Sequence, residues 1–403
     1  MFSAAFERSL VRCLKPVPVH KILHVIPSVG PQRGGPSVMV RTIARALAQS
    51  GMEIHVATTD DNGPDRSCVI LGTPQMEDGA TFWYFPRQTR FYIFSWPLTR
   101  WLAQHVREFD LVHIHALFSC AALPAALLAH RAGVPYIVRP LGTLNRWGIK
   151  NRRPWLKKLS FRLIESRILK SAAAIHFTSG QECTEAAALV TDGRAEIIPN
   201  PLDASPHSWP LGAFRARFPH LEGRRIILFL SRIDEKKGLD LLLAAFAHVQ
   251  QQCPDTVLVL AGSGDPDFVA TLRVRAAALG ISSSVLWAGF LIGEQKWAAL
   301  ADAEIFALPS YSENFGNAIV EAMAAGLPVV ISDQVGIHTE IAEARAGAVV
   351  PCSVDRLAQQ LLDLLADGGL RSSMGQNGRR LCRRYSPDAV GARMLDLYNE
   401  IST

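Results

Sequence analysis

Two glutamates, Glu313 and Glu321, bracket a short run of asparagine, glycine and small apolar residues that ends at Gly326 and Pro328. The stretch from Asn317 to Ala325 predicts a helix closed by Gly326 as its C-cap. One carboxylate then stands before the helix and the other about one turn into it. If all the intervening residues were helical, the rise would be roughly 12 Å. That is too far for the paired carboxyls of a glycosidase, which sit about 5–10 Å apart. It suits two hydroxyl-bearing ends of one extended ligand, such as the sugar and the ribose of a sugar nucleotide. Backbone N–H groups near Asn314, Phe315 and Gly316 would receive the diphosphate between those ends. Arg232 and Lys237, just ahead of Gly238, add a bidentate guanidinium and a point-charge ammonium for the same diphosphate. Gly34 and Gly35, inside Arg33-Gly-Gly-Pro36, let backbone approach a phosphate at a helix start. They lack both the G-x-G-x-x-G spacing and a P-loop lysine.

These residues fall where a layered α/β chain places ligands. Strand-like runs alternate with helical patterns throughout: Lys21–Ile26, Ile54–Ala57, Leu111–Ile114, Tyr136–Val138, Ala174–Thr178 and Glu196–Ile198 in the first half. In the second half they are Ile226–Leu230, Thr256–Ala261, Val285–Ala288, Ile305–Leu308, Val329–Ser332 and Ala348–Val350. The pattern predicts two doubly wound, Rossmann-like domains with an interdomain cleft. The expected boundaries are 1–198, a proline-rich linker over 199–210, 211–385, and a terminal helix over 386–403 packing back on one of the domains. In such sheets ligands bind beyond the carboxyl ends of the strands. His113 and His115 share one face of their strand. At least one reads as a hydrogen-bonded core histidine, and His115, at the strand's carboxyl end, reads either way.

Two spellings are decoys. Asp265-Pro-Asp267 resembles a metal-binding D-x-D but sits in a turn that Pro266 shapes. Gly262-Ser-Gly264 lacks the third glycine of a dinucleotide fingerprint.

Composition narrows the class. Apolar residues make up 49% and charged residues 19% of 403, the balance of a chain with a core rather than a disordered one. Seven cysteines without a C-x-x-C argue against a disulfide framework or structural zinc and favour a reducing compartment. With no secretory h-region and no run of 18 apolar residues, a cytoplasmic location is expected. Residues 1–205 carry 24 basic against 15 acidic side chains, a net of +9, while the rest carries 18 against 21. Ten of the basic residues lie between Arg139 and Lys170, interleaved with Trp147, Trp155 and Phe161. That segment reads equally as a solvated helix face or as a dock for an anionic membrane surface or phosphorylated acceptor. No nucleic-acid motif accompanies it.

Taken in order, these elements resemble glycosyltransferase family 4, the retaining transferases of GT-B fold. The resemblance runs from about residue 20 onward, with E-x7-E at Glu313 and Glu321 as its most specific element. The Gly34-Gly35 loop, His115, Ile197-Ile-Pro-Asn-Pro201, Arg232/Lys237-Gly238 and Gly326-Leu-Pro-Val-Val330 follow the family's order. It implies a nucleotide-diphospho-sugar donor held mainly by the second domain, with no bound metal or other cofactor. Arg232 and Lys237 would stabilise the leaving diphosphate, Glu313 would bind sugar hydroxyls, and Glu321 the ribose. Asn314 to Gly316 would hold the distal phosphate or sugar, and His115 would contact the sugar from the first domain. The acceptor, a glycan or polyprenyl-linked saccharide of exopolysaccharide or lipopolysaccharide synthesis, would lie on the first domain near Arg139 and Gly142. Leu141 stands where relatives often carry arginine. Alternatives are a sugar-nucleotide epimerase of the same fold and a non-catalytic sugar-nucleotide-binding protein.

Overall fold

A computed structural model describes residues 20–90, 92–145, 154–190, 193–203 and 211–402. The linker residues 204–210 and the basic residues 146–153, with Trp147, lie outside the described residues.

The first ten strands are β1 (Lys21–Ser28), β2 (Glu53–Thr59), β3 (Asp61–Asn62), β4 (Asp65–Arg66), β5 (Pro74–Glu77), β6 (Ala80–Phe85), β7 (Leu111–His115), β8 (Tyr136–Arg139), β9 (Ala174–Phe177) and β10 (Ala195–Ile197). Eight of them form a sheet in the order β10-β9-β8-β7-β1-β2-β6-β5, parallel except for β5; β3 and β4 form a separate small hairpin. The second sheet is fully parallel. It comprises β11 (Arg225–Leu230), β12 (Thr256–Ala261), β13 (Val285–Gly289), β14 (Ile305–Leu308), β15 (Val329–Ser332) and β16 (Gly347–Val350), in the order β13-β12-β11-β14-β15-β16. Its strands are near-continuous Val, Ile, Leu and Phe because helices cover both faces.

Strand order reverses between β1 and β7 in the first sheet and between β11 and β14 in the second. Such switch points open a crevice beyond the strand ends. The loops after β1 and β7 carry Gly34 and follow His115; the loops after β11 and β14 carry Arg232, Lys237 and Glu313. Topology alone therefore gathers residues that are distant in sequence.

Apolar side chains pack on both faces of the first sheet. The helix Pro387–Ile401 belongs to this first core: Val390, Met394, Leu397 and Tyr398 pack with Ile22, Val40 and Ile43. The chain thus crosses between domains twice, and the crossings are tied where Leu202 N–H donates to the Tyr385 carbonyl at 2.6 Å. The strands β5 and β6 escaped the sequence reading, because Pro74 and the polar residues of β5 break the apolar pattern and β6 is one aromatic run.

Candidate active site

Glu313 is clamped by its backbone: its N–H donates to the Gln334 carbonyl at 3.1 Å and its carbonyl accepts from Gly336 at 2.8 Å. This fixes the loop after β14 against the loop after β15. The Glu313 carboxylate meets the Lys237 ammonium from the loop after β11. Both side chains are largely enclosed, at 16% and 5% exposure. Burial alone would raise the Glu313 carboxyl, but Lys237, Lys236 and Arg232 outweigh it and hold it below the usual carboxylate range. Lys236, whose role the sequence did not suggest, is brought down to about 8 by burial and by Lys237. Arg232 is exposed at the mouth of the crevice. Three cations and one carboxylate therefore converge at the switch point, an excess suited to a dianionic diphosphate.

Gly238 makes this convergence possible. Its φ is +66°, and a Cβ there would overlap the Pro309 carbonyl, so only glycine lets the loops after β11 and β14 touch. The helix Asn317–Ala325 begins at Gly316, which offers no side-chain cap, so its first N–H groups are available to an anion. Phe315 is buried edge-on against Tyr385 at 5.5 Å, which leaves only its backbone for a ligand. Glu321 pairs with Lys296 at 2.8 Å, a partner from the helix Gly293–Asp302 that sequence reading missed. A cavity of about 370 Å³ opens between the ends of β12 and β13, lined by Ile233, Gly262, Gly264, Arg273, Trp287 and Gly289. Asp265, the decoy acid, caps the adjoining helix by accepting from the Asp267 and Phe268 amides at 3.0 and 3.2 Å.

From the first domain, Gly35 comes so close that a Cβ would sit 2.9 Å from the Asn317 amide nitrogen. Asn145 donates to Ser312 at 3.2 Å and Asn314 donates to Thr178 at 2.8 Å, so the two domains meet around the Glu313 loop.

Residues 213–381 match the family described as Glycosyl transferases group 1, and residues 34–201 match the Glycosyl transferase 4-like domain. The chain belongs to glycosyltransferase family 4. D-inositol 3-phosphate glycosyltransferase of Jonesia denitrificans is 28% identical, covering 94% of this chain and 96% of that protein. A phosphatidyl-myo-inositol mannosyltransferase of Mycolicibacterium smegmatis is 28% identical over 75% of this chain and 74% of its own. The fold is GT-B, as in sucrose-phosphate synthase from Thermosynechococcus elongatus, with a TM-score of 0.76, 22% identity, and coverage of 94% and 98%. Anabaena HepE, solved in complex with UDP and glucose, is similar at a TM-score of 0.75 and 21% identity, covering 94% and 100%.

Within this family 4 transferase, three expected contacts sit differently from the sequence reading. His115 ends β7 as expected, but its ring is fully buried and its Nε2 bonds His24 Nδ1 at 2.9 Å. The cause is a layer of histidines from three strands, β1, β7 and β9: His24, His113, His115 and His176. Burial holds His115, His113 and His176 well below the ordinary imidazole range, so they are neutral. The Ile198 carbonyl can only accept, so His176 Nε2 carries its hydrogen; His176 Nδ1 then accepts from His113 Nε2, and His113 Nδ1 accepts from the Tyr398 hydroxyl. His115 Nδ1 is left without a partner, and Ala116 and Phe118 beyond it hold φ of +70° and +55°, strained values for non-glycine residues.

Arg139, expected on the acceptor surface, is instead fully buried beside His115. It donates to Met39 Sδ and to Asn200 Oδ1, and burial lowers it to about 10. Asn200 in turn donates to Asn317 at 2.8 Å, so Arg139 ties the linker to the first residue of the Glu321 helix. Gly142 is half-buried at the contact between the domains: its N–H donates to Glu182 at 2.6 Å and it packs on Asn314. His24, His113 and His115 bring nitrogens within 4.8 Å of one another, but a cation among them would stand beside the Arg139 charge.

Proposed function

We propose that this glycosyltransferase moves a hexose, with retention and without a metal, from a nucleotide-diphospho-sugar to an acceptor bearing a phosphate, such as a glycolipid or a polyprenyl-linked saccharide. The observation that carries it is the meeting of Arg232, Lys236 and Lys237 with Glu313 at the switch point, under the uncapped start of the helix that bears Glu321. The cavity beside Gly262 and Gly289 is the right size for a nucleobase. Glu321 would take the ribose, Gly34, Gly35 and the amides of Asn314 to Gly316 the phosphates, and Glu313 the sugar hydroxyls. The relatives act, by name, on inositol phosphate and phosphatidylinositol, which favours a phosphate-bearing acceptor over a neutral glycan.

Breaking the anomeric C–O bond leaves positive charge on the sugar and negative charge on the departing diphosphate. Lys237 is held by Glu313 before that charge develops, with Lys236 and Arg232 beside it, so it stabilises the charge with little reorganisation; one such group is worth about 3–4 kcal/mol. Same-face attack would let the departing phosphate oxygen accept the acceptor's hydroxyl proton, which closes the proton balance. The loops that meet around Glu313 from both domains would exclude water.

No helix among the described residues is long and apolar enough to cross a membrane. Peripheral docking has a surface to use: Trp155, Leu159 and Leu163 are 71%, 49% and 50% exposed at helical spacing, flanked by exposed Lys158 and Arg162. Sedimentation with phosphatidylglycerol vesicles that is lost on reversing Lys158 and Arg162 would support it; equal sedimentation with neutral vesicles would remove it.

The test of the transferase reading is stabilisation by one class among UDP-, GDP- and ADP-sugars, and release of that nucleotide only when a lipid extract is added. Glu321→Ala should weaken nucleotide binding. Turnover without acceptor would favour the epimerase, and binding without turnover a sensor.

A further inference from the structure

The loop side of the first domain carries a cluster that the donor reading leaves unused. Asp61, in the hairpin after β2, has a fully buried carboxylate. Burial would raise it, but Arg33 and Arg87 outweigh that and keep it ionised. Arg33 donates to it through Nε and Nη2 at 2.6 and 2.9 Å, and Arg87 through Nη1. One negative charge thus holds two guanidiniums. Arg87 also donates its amide to Asp60 at 2.6 Å and a guanidinium N–H to the Gly63 carbonyl at 2.8 Å.

Two further arginines stand around this pair, Arg66 on a carbonyl and a carboxylate and Arg90 on a carbonyl. Arg66 donates to the Arg87 carbonyl at 2.9 Å and lies 3.5 Å from Asp60; Arg90 donates to the Pro64 carbonyl at 3.2 Å. The hairpin's third carboxylate, Asp65, is exposed and takes the Gln32 amide at 3.3 Å. The unspent charge faces outward, since the Arg33 and Arg66 side chains are 40% and 56% exposed and Arg90 is exposed. Arg33 directly precedes the Gly34-Gly35 turn that touches Asn317, so the cluster borders the donor crevice from the acceptor domain.

We propose that Arg33, Arg66 and Arg90, positioned by Asp60 and Asp61, form the site for a phosphate group carried by the acceptor. The inference rests on the transferase reading above. Guanidiniums held in place by carboxylates and carbonyls lose little freedom on binding; Arg66 and Arg90 offer N–H groups to phosphate oxygens, and Arg33, its Nε and Nη2 engaged by Asp61, adds its Nη1. The same chemistry would serve a soluble phosphate ester or a lipid headgroup, and the experiment separates them.

The wild-type chain and an Arg66→Gln/Arg90→Gln variant are first saturated with UDP, GDP or ADP, whichever binds, so that the donor cations are occupied. Both side chains are exposed, and the nucleotide titration itself reports whether the variant has kept its fold. Inorganic phosphate is then titrated calorimetrically, and sedimentation with phosphatidylglycerol vesicles is measured in parallel. The expected result is a loss of phosphate affinity of about tenfold or more, with nucleotide binding and vesicle sedimentation unchanged. Equal phosphate affinity in the two proteins, or none in the wild type, overturns the proposal. A loss seen only with vesicles gives these arginines to a lipid surface and overturns it too. If none of the three nucleotides binds the wild type, the transferase reading fails first and takes this site with it.

Discussion

Replacing Lys237 by methionine, which keeps the length of the side chain and removes its charge, separates two roles of one ammonium. Without ligand, Lys237 is the partner of Glu313 in an enclosed pair, at 5% and 16% exposure. Losing one member of a buried pair costs about 3–5 kcal/mol. Lys236 and Arg232 still face the carboxylate, so the loss of stability should fall near the low end. With donor bound, the same ammonium faces the diphosphate, where a hydrogen bond to a charged group contributes about 1.5–3 kcal/mol, or roughly 10- to 150-fold in affinity. The companion Glu313→Gln keeps the shape and frees Lys237. It should leave nucleoside diphosphate binding as tight as wild type or tighter, while lowering transfer by about two to three orders of magnitude. Calorimetric titration of both variants with UDP and GDP, beside steady-state transfer, reads the two effects. A Lys237→Met affinity within about threefold of wild type, or both variants moving affinity in the same direction, would refute the electrostatic argument.

Lys236 adds a pH dependence: with its ammonium lowered to about 8, it is protonated below that pH and neutral above it. Nucleoside diphosphate affinity should therefore fall as pH rises through about 8, and Lys236→Met should flatten that step in a titration series. Gly238→Ala introduces a Cβ onto the Pro309 carbonyl at positive φ. Left-handed strain of about 1–2 kcal/mol, and separation of the two loops, should lower both melting temperature and nucleotide affinity, whereas Ala at the surface turn Gly223 should lower only the former. Tyr398→Phe removes the hydroxyl that donates to His113 Nδ1 at 2.7 Å in a fully buried layer. The stranded acceptor should cost about 1–3 kcal/mol in thermal or urea unfolding, and an unchanged midpoint would contradict the proton order derived for the histidines.

The second domain was legible because its chemistry follows immediately after strands that are plain apolar runs. The helix Asn317–Ala325 has the bounds its sequence predicts, and Lys237 and Glu313 both follow predicted strands of one domain. What stayed hidden depends on partners far away in sequence. Lys236 and Lys237 look alike as letters, and only packing makes one the partner of Glu313 and lowers the other. Glu321 finds Lys296 on a neighbouring helix, 25 residues earlier. The family resemblance puts Arg139 on the acceptor side, yet Met39 and Asn200, 100 and 61 residues away, enclose it. His115 fell on the correct strand face, but alternation does not reveal that His24 on β1 packs against that ring. Tyr398, 285 residues from His113, closes the same layer from the terminal helix.

The most direct measurement is a crystal structure with the nucleoside diphosphate that stabilises the chain most. The diphosphate is expected within hydrogen-bond distance of Arg232, Lys237 and the amides that start the Glu321 helix, with the ribose on Glu321 and the base beside Gly262 and Gly289. A nucleotide bound elsewhere, with the Lys237–Glu313 pair intact and those amides unoccupied, would contradict this placement.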